Sequence, residues 1–385
     1  MLYYDAPDPG PGPANRGTTM RWKTDCRHYA GDRPCPVRPA CRGCPAYAPW
    51  RRRWLVIKLA ARGDVLRTTP LALAVKQQRP GAQVTWLTDP GAAPLLRHNP
   101  SIDRLLEYGP GTTAQLLAER FDAAVCLDKE PRAAALASVV RARAKYGFGW
   151  GADGGLRSLH RRSDILLDLG LSDDLKFRRN GKSYQRLAIE ACGLLPARQP
   201  YQYVVTAEER ARAGRFLRRA SGGRGAPLIG LNLGTGRAFP TKAWPEAHFI
   251  ALARAVRRAR LGAVVLLGGP DEAGAVRRLR AAIPGATAAA PSLDLRDFAA
   301  VIGGLDVVVS ADSLAMHLGI ALRRKVVALF GPTCSQEIDL YGRGVKIAAA
   351  AACAPCYRAW CRDRRCMEGI KPAAVLEALR RLLAR

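Results

Sequence analysis

Residues Asp306–Leu322 read "DVVVSADSLAMHLGIAL". An apolar run stops at Ser310-Ala311-Asp312-Ser313, and a helical pattern begins with His317 one turn in. A short apolar run feeding a helix is the pattern of a buried parallel strand followed by its covering helix. Ser310, Asp312 and Ser313 are residue types that cap a helix start. The same start exposes free N–H groups and the positive end of the helix dipole. The stretch therefore reads as a cap, a ligand site, or both.

The same unit recurs outward in both directions. "LIGLNLG" (Leu228–Gly234), "AVVLLGG" (Ala263–Gly269) and "KVVALFG" (Lys325–Gly331) are strand patterns, and "HFIALARAVRRAR" is an amphipathic helix pattern. Upstream, "WLVIKL" (Trp54–Leu59), "AQVTWLT" (Ala82–Thr88), "IDRLLEY" (Ile102–Tyr108), "FDAAVCLD" (Phe121–Asp128) and "KYGFGW" (Lys145–Trp150) continue the series. Strands alternating with helices imply parallel sheets covered on both faces. The organisation reads as a flexible Pro/Gly-rich leader (1–20), a Cys-rich segment (21–53), an α/β half (54–205), a helix with a Gly-rich linker (206–226), a second α/β half (227–350), and a second Cys-rich segment ending in a helix (351–385). Residues 151–181 look polar and irregular. Ligands of open parallel sheets bind at the carboxyl ends of the strands, so two facing halves would form a cleft.

A chain of 385 residues, 48% of them hydrophobic, is long enough for two cores. No apolar run approaches the roughly 20 residues of a membrane span. The leader lacks the charged start and apolar stretch of a signal peptide, so a cytoplasmic location is expected. The formal net charge is +29, from 61 basic and 32 acidic residues. Such a field attracts nucleic acid, anionic lipid or a phosphorylated substrate. No nucleic-acid recognition module is visible, and many of the arginines would simply solvate helix faces.

Four strand ends carry chemistry. In "KLAARGDVLRTTP", Arg62 and Gly63 form a turn, and Asp64 is either a helix cap or a general base at a cleft mouth. In "LNLGTGRAFPTKAWP", a Gly-rich loop offers backbone N–H groups to phosphate, with Thr235, Gly236, Arg237 and Lys242 beside it. In "LLGGPDE", Asp271 or Glu272 would accept from ribose hydroxyls, or simply open a helix. The fourth end is the opening stretch, where His317 shares a helix face with Ser313.

Together, "VIKLAARGDVLRTTPLALAVKQQRPGAQVTWLT", "KAWPEAHFIALA", "GGPDE" and "VVSADSLAMHLGIALRRKVVALFGPT" resemble glycosyltransferase family 9, the ADP-heptose:lipopolysaccharide heptosyltransferases, from Trp54 to the C-terminus. The resemblance implies a GT-B fold, with two Rossmann-like domains facing across a cleft and the final helix packed back on the N-terminal domain. It implies inverting, metal-independent transfer of a heptose from ADP-heptose, with Asp64 as general base. Lys242 would contact donor phosphate and sugar, Thr235 and Gly236 the phosphates, Asp271 or Glu272 the ribose, and Asp312 the heptose hydroxyls. Ser313, Leu314 and His317 would face the pyrophosphate. Leu314 departs from a family that often has Gly there. The implied acceptor is an anionic, lipid-linked inner-core glycan, and a peripheral position on the inner membrane goes with it. No nucleic-acid partner is expected.

The eleven cysteines include two clustered sets. Cys26, Cys35, Cys41 and Cys44 read C-x8-C-x5-C-x2-C, and Cys353, Cys356, Cys361 and Cys366 read C-x2-C-x4-C-x4-C. Four thiolates close a tetrahedral zinc site. Structural zinc is the first reading, an iron–sulfur cluster the second and free thiols the third. No catalytic cofactor is expected. Rival functions are a nucleotide-sugar epimerase on the same fold, a zinc-containing nucleic-acid-binding protein, and a sugar-binding member without catalysis.

Overall fold

The structure is a computed structural model that describes residues 22–222, 225–289 and 292–384. The leader and two linker positions of the sequence reading lie outside these residues.

The N-terminal half runs β1 (Arg52–Ile57), α1 (Arg62–Gln78), β2 (Ala82–Thr88), β3 (Arg104–Glu107), α2 (Pro110–Ala118), β4 (Arg120–Cys126), α3 (Pro131–Val139), β5 (Arg141–Trp150), β6 (Leu156–Ser158), α4 (Asp164–Leu171) and α5 (Tyr184–Ala191). The C-terminal half begins with α6 (Ala207–Ala220), β7 (Leu228–Asn232), α7 (Glu246–Arg258), β8 (Ala263–Leu267), α8 (Ala273–Ala282) and β9 (Thr287–Ala288). It continues with α9 (Leu295–Gly303), β10 (Val307–Ala311), α10 (Leu314–Ala321), β11 (Lys325–Phe330), β12 (Gly344–Ala348), α11 (Arg365–Gly369) and α12 (Pro372–Leu383).

The sheet orders are β3-β2-β1-β4-β5-β6 and β12-β11-β10-β7-β8-β9. Counted from its own first strand, each half has the Rossmann order 3-2-1-4-5-6. All pairs are parallel except the antiparallel β5–β6 edge. Central strands are apolar throughout because helices cover both faces: Leu55, Val56 and Ile57 of β1 and Val307, Val308 and Val309 of β10 have no solvent exposure. The order reverses between β1 and β4, and again between β7 and β10, so each sheet opens a crevice at those carboxyl ends. The two-domain α/β reading holds.

Two expectations need correction. The final helix, α12, packs through Val375, Ala378, Leu379 and Leu382 into the cluster that holds Ile229 and Leu231. It therefore covers the C-terminal sheet and does not return to the N-terminal half. Helix α6, expected as a helix, packs into the C-terminal half: Ala213 and Leu217 share a core cluster with Ala299 and Ile302 of α9, and Thr206 and Glu209 close a capping box at its start. Residues 151–181 contain β6 and α4, both too short to show a clear period.

Helices α1 and α10 form the seam between the halves. Leu66 of α1 lies in one apolar cluster with Met316 and Leu318 of α10. Gly63 is required there, because a Cβ on it would stand 2.7 Å from the His317 ring carbon Cδ2. Gly63→Ala is expected to force the two helices apart and lower the melting temperature, with Thr68→Ala on the same helix as the contrasting control.

Candidate active site

The crevices of the two sheets merge into one cleft of about 610 Å³. Every donor-side and base-side residue expected from the sequence lines it: Arg62, Gly63 and Asp64 on one wall, Thr235, Gly236, Lys242, Asp271 and Glu272 on another, and Asp312, Ser313, Leu314 and His317 between them.

Asp64 sits in the first turn of α1, but the cap position is Ala61, and it makes no side-chain cap bond. Capping therefore does not account for Asp64. Its carboxylate faces Arg67, with Oδ1 2.9 Å from Nε. Arg67 also stands 3.9 Å from Glu337 Oε2 and packs over the Tyr184 ring at 4.0 Å. Burial by itself would raise the Asp64 pKa, yet Arg67, Lys58, His317 and Lys242 together hold it below the usual carboxylate value. Asp64 is thus an ionised proton acceptor at neutral pH. Lys58 is buried at the end of β1 and pairs with Asp128 at 3.2 Å. The same Asp128 oxygen accepts from the Leu59 and Ala60 N–H groups, both at 3.0 Å. That carboxylate fixes the loop from which Asp64 is presented.

Across the cleft, Asn232 ends β7. Its buried amide donates to Gly234 O at 2.7 Å and to the Ser310 and Ser313 hydroxyls at 3.1 Å each. One side chain therefore locks the Gly-rich loop to the start of α10. Ser313 occupies the α10 cap position without a capping bond, so the first N–H groups of that helix receive nothing from it. Lys242 lies 3.9 Å from Asp312 and over the Phe239 ring. Both oxygens of Asp271 are engaged by Arg237, at 2.9 and 2.5 Å. Glu272 Oε2 accepts from the Gly269 N–H at 2.9 Å, which leaves Glu272 Oε1 without a described partner. Leu293, Leu295, Phe298 and Ala315 make an apolar end wall, suited to a flat heterocycle.

His317 is 3% exposed. It lies 3.6 Å from Asp312, 3.4 Å from the Tyr201 hydroxyl, and stacked on the Tyr201 ring. Burial, helped by Arg67 and Lys242, pushes its pKa down to about 4 against the partial opposition of Asp312 and Asp64. It is neutral at pH 7 and brings no charge to a phosphate. The unfolded chain binds this proton near pH 6.5 and the folded chain only near 4. Stability is therefore lost as pH falls from about 6.5 to about 4, by on the order of 3 kcal/mol. Urea melts should show about 2 kcal/mol of this loss between pH 7 and pH 5, and His317→Gln should reduce it.

Several functional residues were missed by the sequence reading: Lys58, Arg67, Asp128, Tyr201, Asn232, Glu337 and Tyr357. Only Arg67 left a readable trace, as the i+3 partner of Asp64. Tyr357 comes from the second cysteine segment. Its hydroxyl donates to Glu337 at 2.9 Å, its ring stacks on Phe177, and Lys176 lies 3.5 Å above it. Lys176 and Lys129 make no ion pair within 4 Å among the described residues, and burial together with Lys176 lowers the Lys129 pKa against the opposing pull of Glu337. Tyr357→Phe should cost about 1 kcal/mol in a chemical melt, since it strips one bond from Glu337.

None of the eleven cysteines lies in a disulfide. Cys26, Cys35, Cys41 and Cys44 line one hollow of about 510 Å³ with His28. Among the described residues, no group of three or more His, Cys, Asp or Glu side chains is arranged to hold a metal ion.

Residues 112–366 match the sequence model of glycosyltransferase family 9 (heptosyltransferase). The chain belongs to that family. It is 27% identical over 321 residues to lipopolysaccharide heptosyltransferase 1 of Salmonella typhimurium, a match covering 79% of this chain and 94% of the relative. It is 24% identical over 296 residues to lipooligosaccharide heptosyltransferase 2 of Haemophilus influenzae, covering 71% and 82%. Its fold is similar to a family 9 glycosyltransferase from Veillonella parvula, with a TM-score of 0.68 at 20% identity, covering 86% of this chain and 97% of that one. E. coli ADP-heptose lps heptosyltransferase II gives 0.64 at 21% identity, covering 86% and 98%. This family 9 enzyme is therefore a glycosyltransferase with the GT-B architecture that its sequence implied.

Proposed function

We propose that this enzyme transfers a heptose from ADP-heptose to an anionic, lipid-linked glycan of the lipopolysaccharide inner core, with inversion and without a catalytic metal. The observation that carries this reading is the placement of Asp64 in one cleft with Lys242, Asp312 and the open start of α10. The acceptor hydroxyl attacks the anomeric carbon on the face opposite the leaving group. Its proton passes to Asp64, the new glycosidic bond forms, and the bond to ADP breaks. Charge growing on the ADP phosphates meets Lys242 and the α10 amides, which are in place before the reaction starts. Asp312 accepts from sugar hydroxyls while held between Lys242 and His317. Glu272, with one free oxygen, suits the ribose better than Asp271. Lys176 on the cleft wall supplies positive charge for an anionic acceptor.

A cytoplasmic protein at the membrane face belongs to the same proposal. So does structural zinc, or alternatively an iron–sulfur cluster, at the two cysteine sets; the thiols would have to draw together to bind it. Elemental and sulfide analysis of purified protein decides that point. The reading as a whole is tested by titrating ADP-heptose, ADP and UDP-sugars into wild type and Lys242→Ala. Adenine-selective binding, at least tenfold weaker in the variant, is the expected result. Equal or tighter binding of UDP-sugars would overturn the donor assignment.

A further inference from the structure

Residues 349–364 join β12 to α11 without regular secondary structure. The root of this segment is fixed. The Cys356 and Tyr357 N–H groups both donate to Pro332 O, at 2.9 and 2.8 Å. The Thr241 hydroxyl donates to Arg358 O at 2.7 Å, and Tyr357 lines the cleft. Beyond this anchored root the chain turns outward, and Trp360 is 77% exposed. Arg358, Arg362 and Arg364 are exposed around it, and their guanidinium groups have no partner among the described residues. Arg365 alone is neutralised, by Asp363.

No contact among the described residues gives a reason for this arrangement. An indole left in water forgoes the free energy of burial, and three unpaired guanidinium groups repel one another. Both costs are relieved at a surface of anionic headgroups, where indole settles at the interface and arginine meets phosphate. Either contribution alone holds a protein only weakly, whereas an apolar anchor combined with a basic patch holds it well. The net charge of +29 draws the whole molecule to such a surface. The tip, rooted at the cleft, determines which face lands.

We infer that the Arg358–Arg364 tip docks this enzyme on a bilayer surface rich in anionic phospholipid, with the cleft mouth toward the lipid. The inference rests on the proposed function, because a lipid-linked acceptor lies in that surface, and it names the contact that delivers the cleft to it.

The test uses the full chain and vesicles of phosphatidylcholine, with and without phosphatidylglycerol. Wild type should co-sediment with the phosphatidylglycerol vesicles. Trp360→Ala should bind them about tenfold more weakly. The triple variant Arg358→Gln, Arg362→Gln, Arg364→Gln should lose the preference for anionic lipid, and both variants should keep the wild-type melting temperature. Brominated lipid should quench wild-type fluorescence, and Trp360→Phe, which removes one of seven tryptophans, should abolish most of that quenching. Variants that sediment like wild type would overturn the inference, as would a wild type that ignores the vesicles. Tip-dependent binding to RNA tighter than to vesicles would overturn it too. Tip-dependent vesicle binding without heptose transfer would sink the proposed function and leave the docking. Transfer to a delipidated acceptor by a protein that binds no vesicles would do the reverse.

Discussion

Asp64→Asn is expected to lower kcat by about 10³-fold while leaving donor binding within a few-fold of wild type. The amide keeps the shape of the carboxylate but cannot take the acceptor proton. The proposed donor contacts, Lys242, Asp312 and the Gly-rich loop, all belong to the C-terminal half, so the Kd for ADP-heptose should hardly move. Steady-state kinetics and donor titration on the same preparation separate the two quantities. A kcat within tenfold of wild type would remove Asp64 from the role of base. The depressed pKa of Asp64 makes it a weak base toward a free hydroxyl. The proton is therefore expected to transfer late, once the attacking oxygen has begun to bond to carbon and has become acidic.

The second large effect is expected from Arg67→Gln. Among the cations that hold down the Asp64 pKa, Arg67 contributes most. Without it, the acid limb of the kcat/KM profile should move to higher pH, toward or above the ordinary carboxylate range. The sign follows from linkage. A carboxylate whose folded pKa is depressed gives stability that is full above its unfolded pKa and lost as pH falls through the folded one. The variant should therefore lose stability most at neutral pH and least in acid. The neutral-pH loss should be about 2 kcal/mol, at the low side for a broken buried pair because Asp64 is 36% exposed and partly screened. Glu337, left without its guanidinium, adds to that cost. A pH–rate profile that does not move would mean that Arg67 supports the fold without tuning the base.

The parts of this molecule that were legible beforehand are those encoded locally. A central parallel strand is apolar along its whole length, so β1, β7, β10 and β11 announce themselves, and the residues at their carboxyl ends follow. Edge strands bury one face or less and are short: β9 has two residues and β6 three, and neither reads as a strand. The site divides along the same line. Asp64, Lys242 and Asp312 stand in recognisable strand-end stretches. Glu337 reaches the cleft from a three-residue 3₁₀ turn and Tyr357 from irregular chain, and their importance comes only from what they touch, 270 positions or more from Arg67 and Asp64 in sequence. Asn232 looked like an ordinary strand residue because its function, an amide shared among three acceptors, exists only after β7 and β10 have paired. Asp64 and Ser313 make no capping bond because their side chains are engaged elsewhere, Asp64 by Arg67 three residues on and Ser313 by Asn232 and Ser310.

The course of the last helix sets how the halves can move. Because α12 stays on the C-terminal sheet, the backbone crosses between the two described halves a single time, near Pro200–Val205. A body tethered at one point has rotational freedom that a doubly tethered one lacks. What restrains it is the apolar seam of α1 on α10 together with polar clasps, four of which are Arg198 to Asp339, Tyr341 to Gln199, Arg67 to Glu337 and Arg296 to Pro94. Three of the four involve a formal charge, and the Arg198 clasp lies exposed to solvent. Ionic strength should thus act as a throttle on the opening of this enzyme, loosening the jaw as salt rises without touching either core.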